Sequence, residues 1–318
     1  MIKIMADSTC DLSQEIIDEY DIGIAPLTIN IEGIVYRDKI DIKPDEFYNV
    51  MENLTEEPTT SMPSPAEYLN VIDKAIADGY IEILCICMSS GTSAAYQSAE
   101  IAKDYFLENN PNTTIKIHVV DSKSMSHGSG WLILKSARLR EQGATYEDLI
   151  QFNETYKTNV KHFLAVYDLG RLVKSGRISN VSAILGKILN LKPIMTMKNG
   201  RGAVVAKERG LKKVLNHYVN EFIKGNNEDI TDFIIIGYTS EIKIAEDLKA
   251  KIISESDFLG EIFIMQMGVA VGTHVGLGGI SMFYVEKGNK HNHLLMNEFN
   301  GFMEKRNDLL AKIKNNKN

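Results

Sequence analysis

The first half of the chain alternates short apolar runs with segments whose apolar residues recur at helical spacing. Strands are predicted over Ile2–Ala6, Ile22–Ile31, Ile81–Met88 and Ile115–Val120, and a polar loop is predicted over Thr55–Pro63. The predicted helices are Leu12–Tyr20, Pro44–Leu54, Ala66–Asp78, Ala94–Leu107, Ser126–Gln142 and Tyr146–Thr158. Strands that alternate with helices are typical of a parallel sheet covered on both faces, which indicates a Rossmann-like α/β domain over residues 1–158.

The second half has a different pattern, in which Lys198-Asn199-Gly200 separates two short apolar runs as in a β-hairpin. The predicted strands are Phe163–Val166, Pro193–Met197, Ala203–Ala206, Phe233–Tyr238, Ile262–Met267 and Ile280–Val285. The predicted helices are Leu169–Val173, Val181–Leu189, Leu211–Ile223 and Ile242–Ile253. We therefore predict an α+β domain with a mixed or antiparallel sheet over residues 159–290. A basic, amphipathic helical extension follows at 291–318.

Composition narrows the possible functions. The net charge of −7 over 318 residues disfavours a nucleic-acid partner, since phosphate neutralisation needs a dense Lys/Arg surface. No run approaches the ~20 apolar residues that span a bilayer, so no transmembrane segment is expected. The three cysteines, Cys10, Cys85 and Cys87, form neither a metal motif nor an even disulfide set, which favours the cytoplasm.

Three distant stretches each follow an apolar run and place hydroxyl residues or a lone histidine on a predicted turn. They are Thr60-Ser61-Met62-Pro63-Ser64, Ser89-Ser90-Gly91-Thr92-Ser93 and Gly272-Thr273-His274-Val275-Gly276. Neutral donors that converge on one place suit a small anion such as a carboxylate or a phosphate. Ser89–Ser93 comes directly after a predicted parallel strand, where ligands of such sheets bind.

Other interpretations of the same residues stay open. Ser64 and Ser93 are each suited to cap the helix that follows them. Gly91-Thr92-Ser93-Ala94-Ala95 approximates the Gly-x-Ser-x-Gly nucleophile elbow, so a serine hydrolase using Ser93 and His274 is an alternative. Asp232 or Asp247 would supply its acid. The basic segment from Arg171 to Arg177 could instead meet an acidic or phosphorylated partner.

Taken in order, these motifs resemble the DegV family over nearly the whole chain, up to about Lys287. The resemblance rests on several segments at family-like spacing. They are Ala6-Asp7-Ser8-Thr9-Cys10-Asp11-Leu12, Pro26-Leu27, Thr60–Ser64, Ser89-Ser90 through Ser93, Tyr96-Gln97-Ser98-Ala99, Gly176-Arg177-Ile178-Ser179 and Gly272–Gly276.

The resemblance implies two domains with a long-chain fatty acid, C14 to C20, buried in a tunnel between them. It implies a non-catalytic carrier, whose bound fatty acid is phosphorylated to an acyl phosphate by a separate kinase for phospholipid synthesis. Thr60, Ser61, Ser93 and His274 would contact the carboxylate, and Arg209 would face the kinase. No Walker-type Gly-x-x-x-x-Gly-Lys motif is present, so ATP is expected to bind the partner.

The chain departs from the family pattern at two places. Ala94-Ala95 follow Ser93 where the family has Gly-Thr, which removes one hydroxyl and makes the backbone less free. Leu277 stands where the family usually has proline. We therefore expect the family role of Ser93 but a modified head-group geometry.

Overall fold

The structure of the protein, a computed structural model, describes residues 1–179 and 191–287. Its strands are β1 (Ile2–Asp7), β2 (Gly23–Ala25), β3 (Thr28–Ile31), β4 (Ile34–Arg37), β5 (Thr59–Ser61), β6 (Glu82–Cys87), β7 (Lys116–Asp121), β8 (Val160–Ala165), β9 (Ile178–Ser179), β10 (Leu191–Lys198), β11 (Arg201–Arg209), β12 (Phe233–Tyr238), β13 (Glu261–Gln266) and β14 (Ile280–Val285). Its helices are α1 (Gln14–Glu19), α2 (Pro44–Val50), α3 (Pro65–Ala77), α4 (Ala95–Asn109), α5 (His127–Glu141), α6 (Tyr146–Tyr156), α7 (Gly170–Lys174), α8 (Leu211–Gly225), α9 (Ile242–Glu255) and α10 (Val269–Val275). The helix predicted over Val181–Leu189 and the extension at 291–318 lie outside the described residues.

The first sheet is parallel, with four strands in the order β2-β1-β6-β7. Side chains alternate between its faces, so Ile4 and Leu84 pack in the core shared with α1, α5 and α6. Met5 and Cys85 point the other way and pack against α3 and α4. Helices therefore cover both faces, which confirms the prediction. Because the strands run the same way, their carboxyl ends meet at one edge of the sheet.

A small antiparallel sheet, in the order β4-β3-β5, corrects two predictions. The single strand predicted over Ile22–Ile31 is wrong, because the chain leaves the parallel sheet at Pro26, which has no N–H to donate. Directly afterwards, the N–H of Leu27 donates to Ser8 Oγ at 3.1 Å. The loop predicted over Thr55–Pro63 contains the short strand β5, which pairs with β3.

The third sheet is mixed, with the order β13-β12-β14-β8-β10-β11-β9. On one face, Phe163 and Met282 pack against α8 and α9. The opposite face carries Leu164, Met195 and Ser281, which are register partners across β8, β10 and β14. We call this second side the inner face of the mixed sheet.

Helix α5 joins the two large sheets. Its fully buried Trp131 stacks on Phe233 of β12 with ring centroids 4.9 Å apart, and the indole N–H donates to the Phe233 carbonyl at 3.0 Å. The predicted domain boundary at residue 158 falls between α6 and β8. One core nevertheless continues across this link, because α5 packs on both sheets.

The turn predicted over Gly272–Gly276 is wrong, because most of this segment belongs to α10. The helix begins where the N–H of Gly268 donates to Asp11 Oδ1 at 2.9 Å. It ends at Gly276, whose φ of 77° is a conformation that favours glycine. Val269 and Ala270 pack the helix against the small antiparallel sheet, which brings His274 close to β5.

Candidate functional site

A cavity of about 960 Å³, its open mouth included, lies between the carboxyl edge of the parallel sheet and the inner face of the mixed sheet. From the parallel sheet, Met88 follows β6 and Met125 follows β7. Leu172 of α7 and Val271 of α10 close the remaining sides. Both predicted domains therefore contribute to its walls, and its position agrees with the rule that ligands bind beyond the carboxyl ends of parallel strands.

The walls of this cavity are mainly apolar and flexible. Six of the described methionines line it: Met62, Met88, Met125, Met195, Met197 and Met267. Unbranched thioether side chains adapt to irregular shapes, so they suit a long, flexible hydrocarbon. Exposure differs along the cavity: Met62 is 45% exposed, whereas Met267 is 1% exposed and Phe283 is 3% exposed. The cavity thus has an open mouth and a buried far end.

At the mouth, Thr60 and His274 meet although they are far apart in the sequence. Thr60 Oγ1 lies 2.8 Å from His274 Nε2. Burial first, and then the positive charges of Arg177 and Arg171, lower the pKa of His274 to about 4. The imidazole is therefore neutral at pH 7. With its proton on Nε2, it donates to Thr60 and leaves the threonine proton available to an anion.

The Ser89–Ser93 turn provides a second free hydroxyl proton. Ser89 Oγ donates to the Gly200 carbonyl at 2.7 Å, Ser90 Oγ donates to Asp121, and Thr92 Oγ1 donates to the Ser89 carbonyl. Ser93 Oγ instead accepts from the Ala95 N–H at 3.2 Å, and its own proton has no acceptor among the described residues. Ser93 also lines the cavity, which makes it the donor of this turn that a ligand can use.

Two arginines make the mouth electropositive. Arg177 lines the cavity, and its guanidinium donates to the Ser175 carbonyl. Arg171 contacts the turn at Gly276 from the adjacent side, and its buried Nη1 has no hydrogen-bond partner among the described residues. Because His274 is neutral, these guanidiniums supply the positive charge that an anion at Thr60 and Ser93 would meet.

The far end of the cavity holds a second polar group. Ser126 lines the cavity there, and its Oγ donates to the buried Asp11 Oδ2 at 2.5 Å. Burial outweighs the positive charge of Lys39 and raises the pKa of Asp11 to about 7. His162 and Ser281 line the same end from the inner face of the mixed sheet. Burial lowers the pKa of His162 to about 4, so its ring is neutral at pH 7.

Two predicted site residues lie outside the cavity. Ser61 is exposed, because successive residues of β5 point to opposite sides and Thr60 takes the inward position. Ser61 therefore does not line the cavity beside Thr60. Arg209 is exposed and ends β11, whereas the cavity touches that strand at Gly202, about 23 Å away at roughly 3.3 Å per residue. Arg209 can face a partner but not the cavity.

The structure does not bring together the catalytic triad that a serine hydrolase would need. Ser93 and His274 both line the cavity, but His274 Nε2 contacts Thr60. The two acids considered for the triad are ion-paired on other surfaces: Asp232 lies 2.8 Å from Lys135 Nζ, and Asp247 lies 2.9 Å from Lys243 Nζ. Neither carboxylate is therefore available to orient the imidazole as a triad requires.

The described part of the chain contains no helix that is both long and apolar enough to cross a bilayer. Residues 1–179 and 191–287 also hold no cluster of three His, Cys, Asp or Glu side chains placed to bind a metal ion. Cys10, Cys85 and Cys87 are free thiols, and all three are buried.

Sequence reasoning missed several cavity residues. It placed Arg177 in a family motif and in a basic segment that could meet an acidic partner, without a role at the cavity. It treated Ser126 only as the start of a helix. The carboxyl-edge rule that selected Ser89–Ser93 applies equally to Thr9 after β1 and to Ser126 after β7, and both line the cavity. The sequence gave no comparable indication for His162, because its position at the cavity depends on the register of the mixed sheet.

Comparisons with known proteins agree with this architecture. The family model described as "Uncharacterised protein, DegV family" matches residues 1–287. A DegV domain-containing protein of Clostridium acetobutylicum is 35% identical over 288 residues, covering 90% of this chain and 99% of the relative.

Two solved structures are similar over most of their length. One is a DegV family protein from Thermus thermophilus described for its fatty acid binding, with 27% identity, a TM-score of 0.80, and coverage of 90% of this chain and 99% of that one. The other is the Streptococcus pneumoniae fatty acid kinase B3 protein loaded with linoleic acid, with 25% identity, a TM-score of 0.76, and coverage of 90% and 100%. Family model, relative and structures point the same way, and the chain belongs to the DegV family.

Proposed function

We propose that this protein binds a long-chain fatty acid, C14 to C20, with its hydrocarbon in the apolar cavity and its carboxylate at the mouth. The observation that carries the proposal is the 2.8 Å contact between Thr60 and His274 at the open end of an otherwise apolar cavity. Each buried methylene contributes about 0.8 kcal/mol, so a long chain supplies ample binding energy. The fatty-acid-bound DegV relatives support this assignment.

The carboxylate would be held by hydroxyl donors rather than by one fixed ion pair. Thr60 and Ser93 each have a proton to donate, and the positive charge of Arg177 favours the ionised acid. A charged group at the end of an apolar cavity must be hydrogen-bonded, since an unpaired charge would oppose burial of the chain. Ser61 has no part in this scheme, because it points away from the cavity.

The open mouth suits presentation of the carboxylate to a separate kinase. In that reaction a carboxylate oxygen attacks the γ-phosphorus of ATP, the bond to the β-γ bridging oxygen breaks, and acyl phosphate and ADP result. The present chain would act as the non-catalytic carrier that positions the acid, and the kinase would supply ATP and Mg²⁺. Arg209 would contact the kinase, and the product would feed phospholipid synthesis. All three cysteines are free thiols, which fits a reducing compartment such as the cytoplasm.

Native mass spectrometry of the purified protein tests the binding step. We expect an added mass equal to one C14 to C20 fatty acid, which denaturing extraction then identifies. Delipidated protein should also take up stearic acid in a titration. A protein that is empty as purified and also rejects added stearic acid contradicts the proposal.

The kinase step needs a separate assay. Loaded protein, ATP and a purified fatty acid kinase should together form acyl phosphate, trapped as a hydroxamate, and omission of either protein should abolish it. Acyl phosphate formed by the loaded carrier and ATP alone would show that this chain is itself the enzyme. If the acid binds and the kinase never phosphorylates it, the presentation role fails while the binding role stands.

A further inference from the structure

The far end of the cavity is more polar than burial of a plain hydrocarbon chain requires. Four polar side chains line it and are nearly or fully buried: Thr9 at 2% exposure, Ser126 at 6%, His162 at 5% and Ser281 at 0%. Burying a polar atom against methylenes is unfavourable unless that atom is hydrogen-bonded. These side chains therefore restrict what the far part of a bound chain should carry.

The hydroxyl protons at this end are already used by the protein. Thr9 Oγ1 donates to Asp7, Ser126 Oγ donates to Asp11, and Ser281 Oγ donates to the Gly237 carbonyl at 3.2 Å. A hydroxyl oxygen has two acceptor lone pairs besides its proton. Ser126 Oγ uses one of these lone pairs for His127 Nδ1, which lies 3.3 Å away, so each of the three side chains is left with at least one acceptor lone pair.

The histidine at this end adds no free donor. His162 Nδ1 lies 2.8 Å from the Val160 carbonyl, and Nε2 accepts from the Met125 N–H at 3.4 Å. This assigns the proton to Nδ1 and leaves both ring nitrogens engaged. His162 therefore offers a ligand neither a donor nor an acceptor. The hydrogen-bonding capacity left at this end of the wall is the acceptor capacity of the three hydroxyls.

We propose that the acyl chain selected by this cavity carries a hydroxyl group at the depth of Ser126 and Ser281. A ligand hydroxyl would donate to a spare acceptor lone pair of one of these wall oxygens, which a plain chain would leave unused. A ketone at the same depth would bring only acceptors and would face other acceptors. This inference rests on the proposed fatty-acid-binding function and specifies the substrate class for the same site.

The first test compares ligands on the unaltered protein. Stearic acid, stearic acids hydroxylated at successive positions from mid-chain to the methyl end, and the matching ketostearic acids are titrated into delipidated protein. We expect one hydroxylated isomer to bind about fivefold more tightly than stearic acid, and about tenfold more tightly than its ketone, from the usual worth of a buried hydrogen bond. The ketone controls for polarity, since it also loses its hydration on binding.

The second test asks whether Ser281 causes that preference. In Ser281→Ala, the ratio of hydroxylated to plain affinity should fall about fivefold. The matched control is Ser136→Ala, because Ser136 is equally buried on α5 but contacts Asn153, away from the cavity. The control should keep the full ratio.

The outcomes separate this inference from the function on which it rests. Binding of stearic acid with no preference for any hydroxylated isomer overturns the inference and leaves the function intact. A preference that survives Ser281→Ala and is shared by the ketone also overturns it. Failure of every acid to bind contradicts the proposed function itself.

Discussion

The parallel sheet and the mixed sheet approach the same cavity in different ways. The parallel sheet presents the ends of its strands, so its loops bring Thr9, Met88, Ser93 and Ser126 to the cavity. The mixed sheet presents a face, so alternate residues such as Leu164 form one continuous wall. Strand ends provide hydroxyl side chains such as that of Ser93, whereas a sheet face provides apolar area such as that of Leu164. In the proposed complex, Ser93 would contact the head group from a strand end and Leu164 would cover the hydrocarbon from the sheet face.

The largest effect on affinity should come from a larger side chain on the inner face of the mixed sheet. Leu164→Trp would occupy space needed by several methylenes and lower the affinity for stearic acid about a hundredfold, at roughly 0.8 kcal/mol per displaced methylene. Isothermal titration of delipidated protein measures this loss. Leu164→Met conserves volume and should stay within a few fold of the wild type. Equal losses in both variants would show that the face is not a chain-binding wall.

The same face also contains a titratable group that should weaken the fold in acid. The pKa of His162 in the folded protein is about 4, below the ordinary value of about 6.5, so the unfolded chain binds the proton first as pH falls. Its contribution to stability is complete above pH 6.5 and is lost between pH 6.5 and 4. Between pH 7 and pH 5 this loss is about 2 kcal/mol.

The variant His162→Gln isolates this contribution from other groups. Asp11, whose pKa is raised to about 7, acts in the opposite direction because its carboxyl binds a proton more readily in the folded state. The wild-type curve therefore mixes both effects. Chemical denaturation at pH 7 and pH 5 should show a drop in unfolding free energy that is about 2 kcal/mol smaller in the variant. If the unfolding free energy drops equally in the variant and the wild type, His162 is not the group responsible.

A head-group change should have a smaller effect on affinity. Thr60→Val keeps the shape of the side chain but removes its donor, so stearic acid should bind about tenfold more weakly. Ser61→Ala is the neighbouring control and should bind as the wild type does, since Ser61 is exposed on the other side of β5. Titration of stearic acid into both delipidated variants measures the two affinities. A larger loss of affinity in Ser61→Ala than in Thr60→Val would show that Ser61, rather than Thr60, contacts the carboxylate.

The smallest effect should arise where the two sheets meet at the mouth. Ser89 Oγ donates to the Gly200 carbonyl in the β10–β11 hairpin, so Ser89→Ala removes one bond between the two halves. We expect dissociation of stearic acid to become about threefold to fivefold faster, from a hydrogen bond worth about 1 kcal/mol. Stopped-flow transfer of the acid to albumin measures that rate. An unaltered rate would mean that this contact does not limit exit.

Long elements were predictable because a single pattern controls each of them. β12 and β14 coincide with their predicted ranges, since each is an uninterrupted apolar run between turns. β5 was missed, because three residues are too few to show alternation. The helix α10 was missed because its glycine borders resemble a turn, and its start depends on Asp11 far away in the sequence.

The candidate site was predictable where its chemistry is local. Thr60, Ser93 and His274 each belong to a motif with a recognisable donor, and the structure brings all three to one cavity. Ser61 and Thr60 could not be distinguished, because that choice depends on the strand register. Arg177 and His162 reach the cavity through tertiary packing, and no local pattern records that placement.

The methionine lining has a consequence for oxidative chemistry. Peroxide converts a thioether to a polar sulfoxide, and accessibility governs the rate. Met195 and Met267 are buried by the protein itself, whereas Met125 is partly exposed within the cavity and a bound acyl chain would cover it. Oxidation at Met125, measured relative to the exposed Met62 by peptide mass analysis, would therefore report what fraction of the molecules in a cell carry a lipid at a given moment.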